Sequence, residues 1–506
     1  MVYFKPNKAT LPNPAKLMDS LRHIGYDNYN AIADIVDNSI DANAKNIWIE
    51  IHQEKKDFVI KVIDDGTGMN EETLTEALKL GSEEEKNVYS DLGRFGMGLC
   101  TAGLSMSQKT TVITKQENTD LRLGINDLDW IRELNEFKSY IGKANDESAK
   151  LFQDLTKGSP CGTVVIFSNS DRIQNRNQTI FANLLKKEIG RIFRRFIEAG
   201  RNFYVNGDVV PMVDPLMLSE PHTYVYSDED YPIKLETQNG TMEDSIRIRM
   251  ALLPDFGALG NRDRGINLTN QGFYVMRNER ELFPAQRLGV YTQDPHLNRF
   301  RAEIYFTGAI DELMGVHFTK RSISMSQGLR DKIREITRSQ IRHLQRMADK
   351  ERPKAEKEVS HEETEKLISK KSKLLIKPPA EPAEERAKKS TRRRHETDVL
   401  KEPEREAVSE RLRRICRFEE ESLDRLGPLF YPFMAGSKVV IRWNVDHPFY
   451  EKILVSKKDD KTFITAVDFL IYSLASAELK SRSDENVSLF ENIRSDMSTN
   501  LRVLMD

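Results

Sequence analysis

In the stretch NYNAIADIVDNSIDANA, Asp34, Asn38 and Asp41 recur at intervals of four and three residues, the spacing that puts side chains on one face of an α-helix. Along such a helix Asp34 and Asn38 stand roughly 6 Å apart. A carboxylate that can take a proton then lies beside an amide oxygen that can ligate a hard cation. Ile32, Ile35, Val36 and Ile40 fill the rest of the helix, so the polar stripe reads either as the wet side of an amphipathic helix or as one wall of a site. Further on, VIDDGTGMN ends a strand-like run with Asp64-x-Gly66-x-Gly68. A carboxylate at a strand end can accept a hydrogen bond from an exocyclic amine, and glycine lets the backbone approach a flat base. Such a turn is also a common structural device. GRFGMG supplies Gly93, Gly96 and Gly98, whose amides could wrap phosphates or form an ordinary surface loop. Thr163 opens the run GTVVIF, where a threonine is equally at home as a plain strand residue.

The elements that must hold these residues read as alternating helix and strand from about Asp27 to Phe167. NIWIEI, FVIKVID, KTTVITK and GTVVIF have strand-like apolar patterns, and ANLLKKEIGRIFRRFIEAG is a helix with Gly200 as its C-cap. A second block, from about Asn202 to Ser326, carries short strands (NFYVNGDVV, SIRIRMALL, GFYVMR, FRAEIYF) and the turn signals NGD, Pro254-Asp255 and RNER. The charged helix QGLRDKIREITRSQIRHLQRMADKE follows, with an apolar stripe of Leu329, Ile333, Ile336, Ile341 and Leu344 that predicts packing against a neighbour. From about Arg352 to Arg411 Lys, Glu and Arg dominate, which reads as a linker, partly helical and partly disordered. Its runs KKSTRRRH and RLRR could meet phosphate backbones, but they alternate with acidic stretches. Order resumes at RICRFEEESLDRLGPLF and KVVIRWNVDHPFY, and TAVDFLIYSLASAELK has the pattern of a buried helix. His447 has no metal-ligand spacing and reads as part of a packed turn.

At 506 residues the chain calls for two to four domains. A net charge of -2 with 31% charged residues excludes a uniformly basic nucleic-acid binder. The three cysteines, Cys100, Cys161 and Cys416, have no C-x-x-C spacing, which argues against a zinc site or a disulfide framework. No apolar run approaches the roughly 20 residues that span a bilayer, and the start has no signal-peptide core. These features predict no membrane partner and a cytoplasmic protein, or a nuclear one in a eukaryote.

In this order, AIADIVDNSIDANA, DDGTGMN, GRFGMGL and GTVVIF resemble the GHKL ATPase superfamily, which groups DNA gyrase B, the ninety-kilodalton heat-shock chaperones, histidine kinases and MutL. The phrasing is most similar to its MutL and MORC branch. The resemblance implies an α+β chain in four parts. These are a GHKL (Bergerat) α/β-sandwich ATPase domain with an N-terminal strap over 1–200 and a transducer-type α+β domain with its exit helix over 201–350. A charged linker over 351–410 and a small C-terminal α/β domain over 411–506 complete it. It also implies ATP and Mg²⁺ as cofactors. Asn38 would ligate Mg²⁺ and Asp64 would bind the adenine amine. Gly66 and Gly68 would turn beneath the base, with Met69 in the same ATP-binding set. Gly93, Gly96 and Gly98 would form a lid, and Thr163 would support Asp64 and a bound water.

Asp34 stands where the family has the Glu that activates the attacking water, and it is about 1.5 Å shorter in reach. A misplacement of about 1 Å can cost on the order of 100-fold in rate, so slow hydrolysis is expected. Asp37 competes for the role, although it points away from Asn38's stripe. Cys100 stands where many MORC-like lids carry Lys. GFYVMRNERELF and VHFTKRSI look like the transducer, and Lys320 matches the lysine that touches the γ-phosphate. The implied function is an ATP-gated homodimeric clamp on DNA, in genome maintenance or defence, with protein partners through the C-terminal domain. The alternative is a chaperone-like ATPase acting on a protein client.

Overall fold

The computed structural model describes residues 12–23, 27–54, 57–81, 87–93, 98–237, 240–315, 325–351, 359–372, 374–375, 378, 414–435, 437–481 and 484–505. The first sheet comprises β1 (Asn46–Glu54), β2 (Asp57–Asp64), β3 (Lys109–Lys115), β4 (Arg122–Asp127), β5 (Tyr140–Lys143), β6 (Gly162–Ser168), β7 (Asn202–Val205) and β8 (Asp208–Val209). Its strand order is β5-β4-β3-β6-β2-β1-β7-β8, antiparallel throughout except between β1 and β7. The accompanying helices are α1 (Pro14–Arg22), α2 (Asn28–Asp41), α3 (Glu71–Ala77), α4 (Gly98–Met106), α5 (Leu128–Leu134), α6 (Asp146–Leu155), α7 (Gln178–Ile192) and α8 (Arg194–Glu198).

Side chains alternate across a sheet with period two. Phe58, Ile60 and Val62 of β2, Val112 of β3 and Val165 and Phe167 of β6 therefore share one face, which packs on α2, α4 and α7. Ile63, Ile113 and Val164 point the other way and join Phe152 of α6 in a smaller cluster. Each such side chain contributes about 1.5–3 kcal/mol when fully buried. Asp27 caps α2 by accepting the Asn30 amide at 3.2 Å. From Ala31 to Ile40 every residue of α2 is buried except Asn38.

The second unit is a sheet of β9 (Tyr224–Thr237), β10 (Gly240–Leu252), β11 (Gly272–Arg277), β12 (Arg280–Gln286) and β13 (Phe300–Phe306), in the order β12-β11-β13-β10-β9. Its helices are α9 (Gly257–Asp263), α10 (Asp311–Met314) and α11 (Gln327–Glu351). The stripe of α11 packs on this sheet: Leu329, Ile333, Ile341 and Leu344 are buried among Ile248, Phe273 and Phe300, with Ile336 at the margin.

The third unit has β14 (Cys416–Glu421), β15 (Phe430–Ala435) and β16 (Lys438–Asn444) in the order β14-β16-β15, covered by α12 (Glu362–Lys370) and by the helices Lys461–Lys480 and Asp484–Met505. Val359 and Ile368 are buried in this third core, so part of the charged stretch 351–410 packs with it. Lys461–Lys480 is long and apolar enough to cross a membrane by length and composition. Its Ile464, Ile471, Tyr472 and Ala475 are packed in the third core, while Phe469 and Leu470 are exposed. His447 is fully buried, its Nε2 3.0 Å from the Ser498 carbonyl, as a packed turn requires.

Buried ion pairs join the units. Between the first and second, Arg194 donates to Glu303 at 2.8 and 2.9 Å and also to Glu281, while Arg195 reaches Glu303 at 2.5 Å. Between the second and third, His296 meets Asp349 of α11 through Nδ1 and lies 2.9 Å from Glu421 of β14 through Nε2. Arg442 stands 2.9 Å from the same nitrogen. Burial alone pulls the His296 pKa down, but hydrogen bonds to Asp349 and Glu421, with the charges of Asp294 and Glu421, outweigh it and push it up to about 9.

An unfolded histidine titrates near about 6.5. The folded state thus binds this proton more tightly, and the contact contributes fully below about pH 6.5 and is lost as pH rises through about 9. Thermal midpoints measured across that window are expected to decline, and His296→Gln is expected to flatten the decline. An unchanged slope in the variant refutes the assignment.

Candidate functional site

Period two puts Asp64, the last residue of β2, on the same helix-covered face as Phe58, Ile60 and Val62. Asp64 is in register with Thr163 of β6, and Thr163 with Thr114 of β3. A polar row of Asp64, Thr163 and Thr114 therefore ends an otherwise apolar face. Asp64 accepts the Ser39 hydroxyl on Oδ2 at 2.9 Å and the Gly66 amide on Oδ1 at 2.9 Å. Burial pushes its carboxyl up to about 6, and the hydrogen bonds from Gly66, Ser39 and Thr163 oppose that rise. Near neutral pH it is mainly an anion with acceptor capacity left for a ligand's N–H. Thr114 donates to the Gly162 carbonyl at 3.1 Å and accepts the Met69 amide at 2.9 Å. Thr114 and Thr163 also share a 3.0 Å hydroxyl–hydroxyl contact in which either can donate.

The neighbouring carboxylate has a different task. Asp65 accepts the amides of Lys45 and Asn46 at 2.8 and 2.9 Å and ties the β1 entry to the turn. The glycine turn itself is forced. A Cβ on Gly66 would lie 2.8 Å from the Ala42 carbonyl oxygen, and one on Gly68, whose φ is +67°, would lie 2.0 Å from the Lys115 carbonyl oxygen. The backbone passes so close to α2 and β3 that only hydrogen fits.

The wall opposite is α2. Asn38 is its single exposed residue between 31 and 40. Asp34 and Asp37 are buried and both meet Arg280 of β12: Nη2 is 3.2 Å from Asp34 and Nε 3.1 Å from Asp37. Asp41 accepts the amides of Leu92 and Gly93 at 2.9 and 3.2 Å, anchoring the root of the glycine loop. Gly98 is the first residue of α4, with open space beside it, so the helix N-terminus there can receive an anion. Cys100 is buried and donates to the Leu78 carbonyl at 3.0 Å, and burial pushes its thiol up to about 12. It is a small packed neutral residue. Gly96 and Lys320 lie outside the described residues, as do residues 1–11 of the N-terminal strap.

Asp34, Asn38, Asp64, Gly66, Gly68, Met69, Thr163, Gly93 and Gly98 thus fall around α2, the end of β2 and the start of α4. Three residues that sequence reasoning did not single out complete the arrangement. Ser39 and Thr114 lay within quoted segments, and strand alternation from Val112 would have flagged Thr114. Arg280 was legible only as part of the turn RNER, because its partner Asp34 is 246 residues away.

Among the described residues no group of three or more His, Cys, Asp or Glu side chains is placed to hold a metal ion. A site with one exposed amide oxygen fits Mg²⁺, which keeps most of its shell as water and substrate phosphate oxygens. Asn38 is the residue that would hold it, and the ion would supply charge neutralisation at the phosphates.

Residues 26–160 match the family model described as histidine kinase-, DNA gyrase B- and HSP90-like ATPase. The chain is similar to ATPase MORC2B of Mus musculus, 29% identical over 97 residues that make up 18% of this chain and 9% of that protein. It is also similar to ATPase morc-1 of Caenorhabditis elegans, 30% identical over 115 residues, 23% of this chain and 13% of that one. The matches therefore span about a tenth of the length of these relatives.

Proposed function

We propose, on the premise that residues 26–160 form a GHKL-type ATPase domain with MORC-like relatives, that this chain binds and slowly hydrolyses Mg-ATP. The observation that carries the reading is Asp64, a buried carboxylate held by Ser39 and Gly66 at a glycine turn, its Ser39 partner lying next along α2 to Asn38, the one exposed residue of that helix. In this reading Asp64 accepts the adenine amine, which guanine, with a carbonyl there, cannot offer. The α4 N-terminus and the glycine loop receive the phosphates. Asp34 orients and deprotonates the attacking water, and Lys320 senses the γ-phosphate from the second unit. Asp in place of Glu shortens the reach to the water, which supports switch-like rather than rapid turnover.

Asp34→Asn tests the core of this reading. A general base is worth about 10²–10⁴-fold, so phosphate release is expected to fall by at least about 100-fold while nucleotide still binds. A variant that hydrolyses at the parent rate removes Asp34 from the role.

The finer proposal is a clamp in which ATP joins two copies around DNA. It is supported by the MORC-like relatives and by the loop root being held from both α2 and the second unit. The measurement is oligomeric state and salt-sensitive DNA binding with ATP, a non-hydrolysable analogue and ADP. Dimerisation and DNA binding with the first two alone support it. A client-dependent turnover without DNA binding points instead to a chaperone-like cycle.

A further inference from the structure

The turn between β11 and β12 contains two residues, Asn278 and Glu279, with φ of 46° and 66°. Both are left-handed, as a type I′ hairpin turn demands. A glutamate there is strained where glycine would be relaxed, and such strain is retained where a site needs the geometry. The turn leaves Arg277 and Arg280 directly paired across the hairpin, and cross-strand partners project from the same face. Both point into the first unit.

Arg277 is held by Asp311 through Nε at 2.8 Å and donates to the carbonyls of Asp91 and Leu92 at 2.9 and 3.2 Å. Asn278 adds bonds to the carbonyls of Asp91 and Val88 at 3.0 and 3.2 Å. The root of the glycine loop is thus gripped by the hairpin on one side and by Asp41 of α2 on the other. Arg280 is buried, and its planar fork serves three acceptors: Asp37 through Nε at 3.1 Å, the Glu281 carbonyl through Nη1 at 3.1 Å and Asp34 through Nη2 at 3.2 Å. With Nε and Nη1 fixed, a rigid guanidinium has one direction left for Nη2. It holds the Asp34 Oδ1 oxygen from the second unit.

We propose that Arg280 is a positioning residue for Asp34, supplied by the second unit through the β11–β12 turn, so that ATP hydrolysis requires this hairpin to be docked on α2. The inference rests on the reading of Asp34 as the residue that activates water. It explains how a side chain one methylene short can serve: the shorter arm is compensated by an orienting partner that leaves it little freedom. Arg277 and Arg280, through one turn, set the loop root and the Asp34 carboxylate in the same frame.

The test uses the full chain with Arg280→Met, Arg280→Lys, Asp37→Asn and the Arg280→Met/Asp37→Asn pair, beside Asp34→Asn. The pair matters because Arg280→Met alone removes a cation from two buried carboxylates and can unfold the protein. Steady-state ATP hydrolysis is measured together with binding of a non-hydrolysable ATP analogue in Mg²⁺. A positioning role predicts that kcat falls by about 100-fold in both Arg280→Met and the pair, with analogue affinity unchanged to within about threefold. Arg280→Lys recovers part of kcat, because an ammonium keeps the charge without the fork. In an Asp34→Asn background, Arg280→Met adds no further loss.

A pair that hydrolyses at the Asp37→Asn rate overturns the inference, since Arg280 then only neutralises Asp37. A parallel loss of kcat and analogue affinity also overturns it. Asp34→Asn at the parent rate, or a parent that does not hydrolyse ATP, sinks the underlying reading itself.

Discussion

Asn38→Ala is expected to weaken Mg-ATP binding by at least about 100-fold and to bring hydrolysis to background, with the fold intact. Asn38 is exposed on a helix whose neighbours from Ala31 to Ile40 are buried, so shortening it opens no cavity. Alanine also has the higher helix propensity, by a few tenths of a kcal/mol or more, about 0.5. The thermal midpoint should therefore hold or rise slightly. On the proposed reading the variant lacks the amide oxygen that would hold Mg²⁺, and the ion would supply charge neutralisation to the phosphates. Calorimetric titration with ATP, with and without Mg²⁺, separates the effects. Parent and variant should differ in Mg²⁺ and converge in chelator. Equal affinity for Mg-ATP would remove Asn38 from the site.

Arg194→Met is expected to destabilise the chain by about 3–5 kcal/mol, the usual cost of stranding buried charges. Arg194, Glu281 and Glu303 are all essentially inaccessible to water, and Arg194 bonds to both carboxylates. Burial by itself would raise the Glu303 pKa, yet Arg194 and Arg195 hold it below the usual carboxylate range. Without the guanidinium, two buried carboxylates face each other with less compensation. The thermal midpoint should fall by on the order of 10 °C. Because α8 and the second sheet meet here, the loss should appear as uncoupled melting of the first two units. Adding Glu303→Gln should restore part of the stability, since a neutral amide is cheaper to bury. A midpoint within about 2 °C of the parent would mean that Arg195 and Arg249, which also reach Glu303, suffice.

The joint between the first two units also bears on the proposed function. The same second sheet that carries Glu281 and Glu303 carries the hairpin whose Arg280 meets Asp34. Melting that joint should therefore lower turnover before it lowers nucleotide binding, since Asp64, Ser39 and Asn38 all belong to the first unit.

Much was legible from residue order alone. The strand-like run FVIKVID put Asp64 at a strand end, and helix spacing placed Asp34 and Asn38 on one helix face. The sequence of motifs from AIADIVDNSIDANA to GTVVIF carried the GHKL resemblance that the family model over residues 26–160 also finds, and the stripe of α11 announced a packed helix. These features are local: periods of 2 and about 3.6 residues and glycines in tight turns are written within a few residues of one another.

Other features were settled only in three dimensions. The turn alone gives Asp64 and Asp65 the same side chain, and the structure gives them different tasks: Asp65 ties down the β1 entry, while Asp64 accepts the Ser39 hydroxyl. Composition read 351–410 as linker, yet Ile368 is buried in the third core. Asp37 was read as pointing away from the stripe, whereas it shares Arg280 with Asp34. The sequence by itself carried the resemblance over residues 26–160 and the residues that the proposed nucleotide site rests on. The tertiary structure decided which partner holds Asp34 and the loop root, because Arg277 and Arg280 reach them across a boundary between two sheets. No local period encodes a contact between residues 246 positions apart.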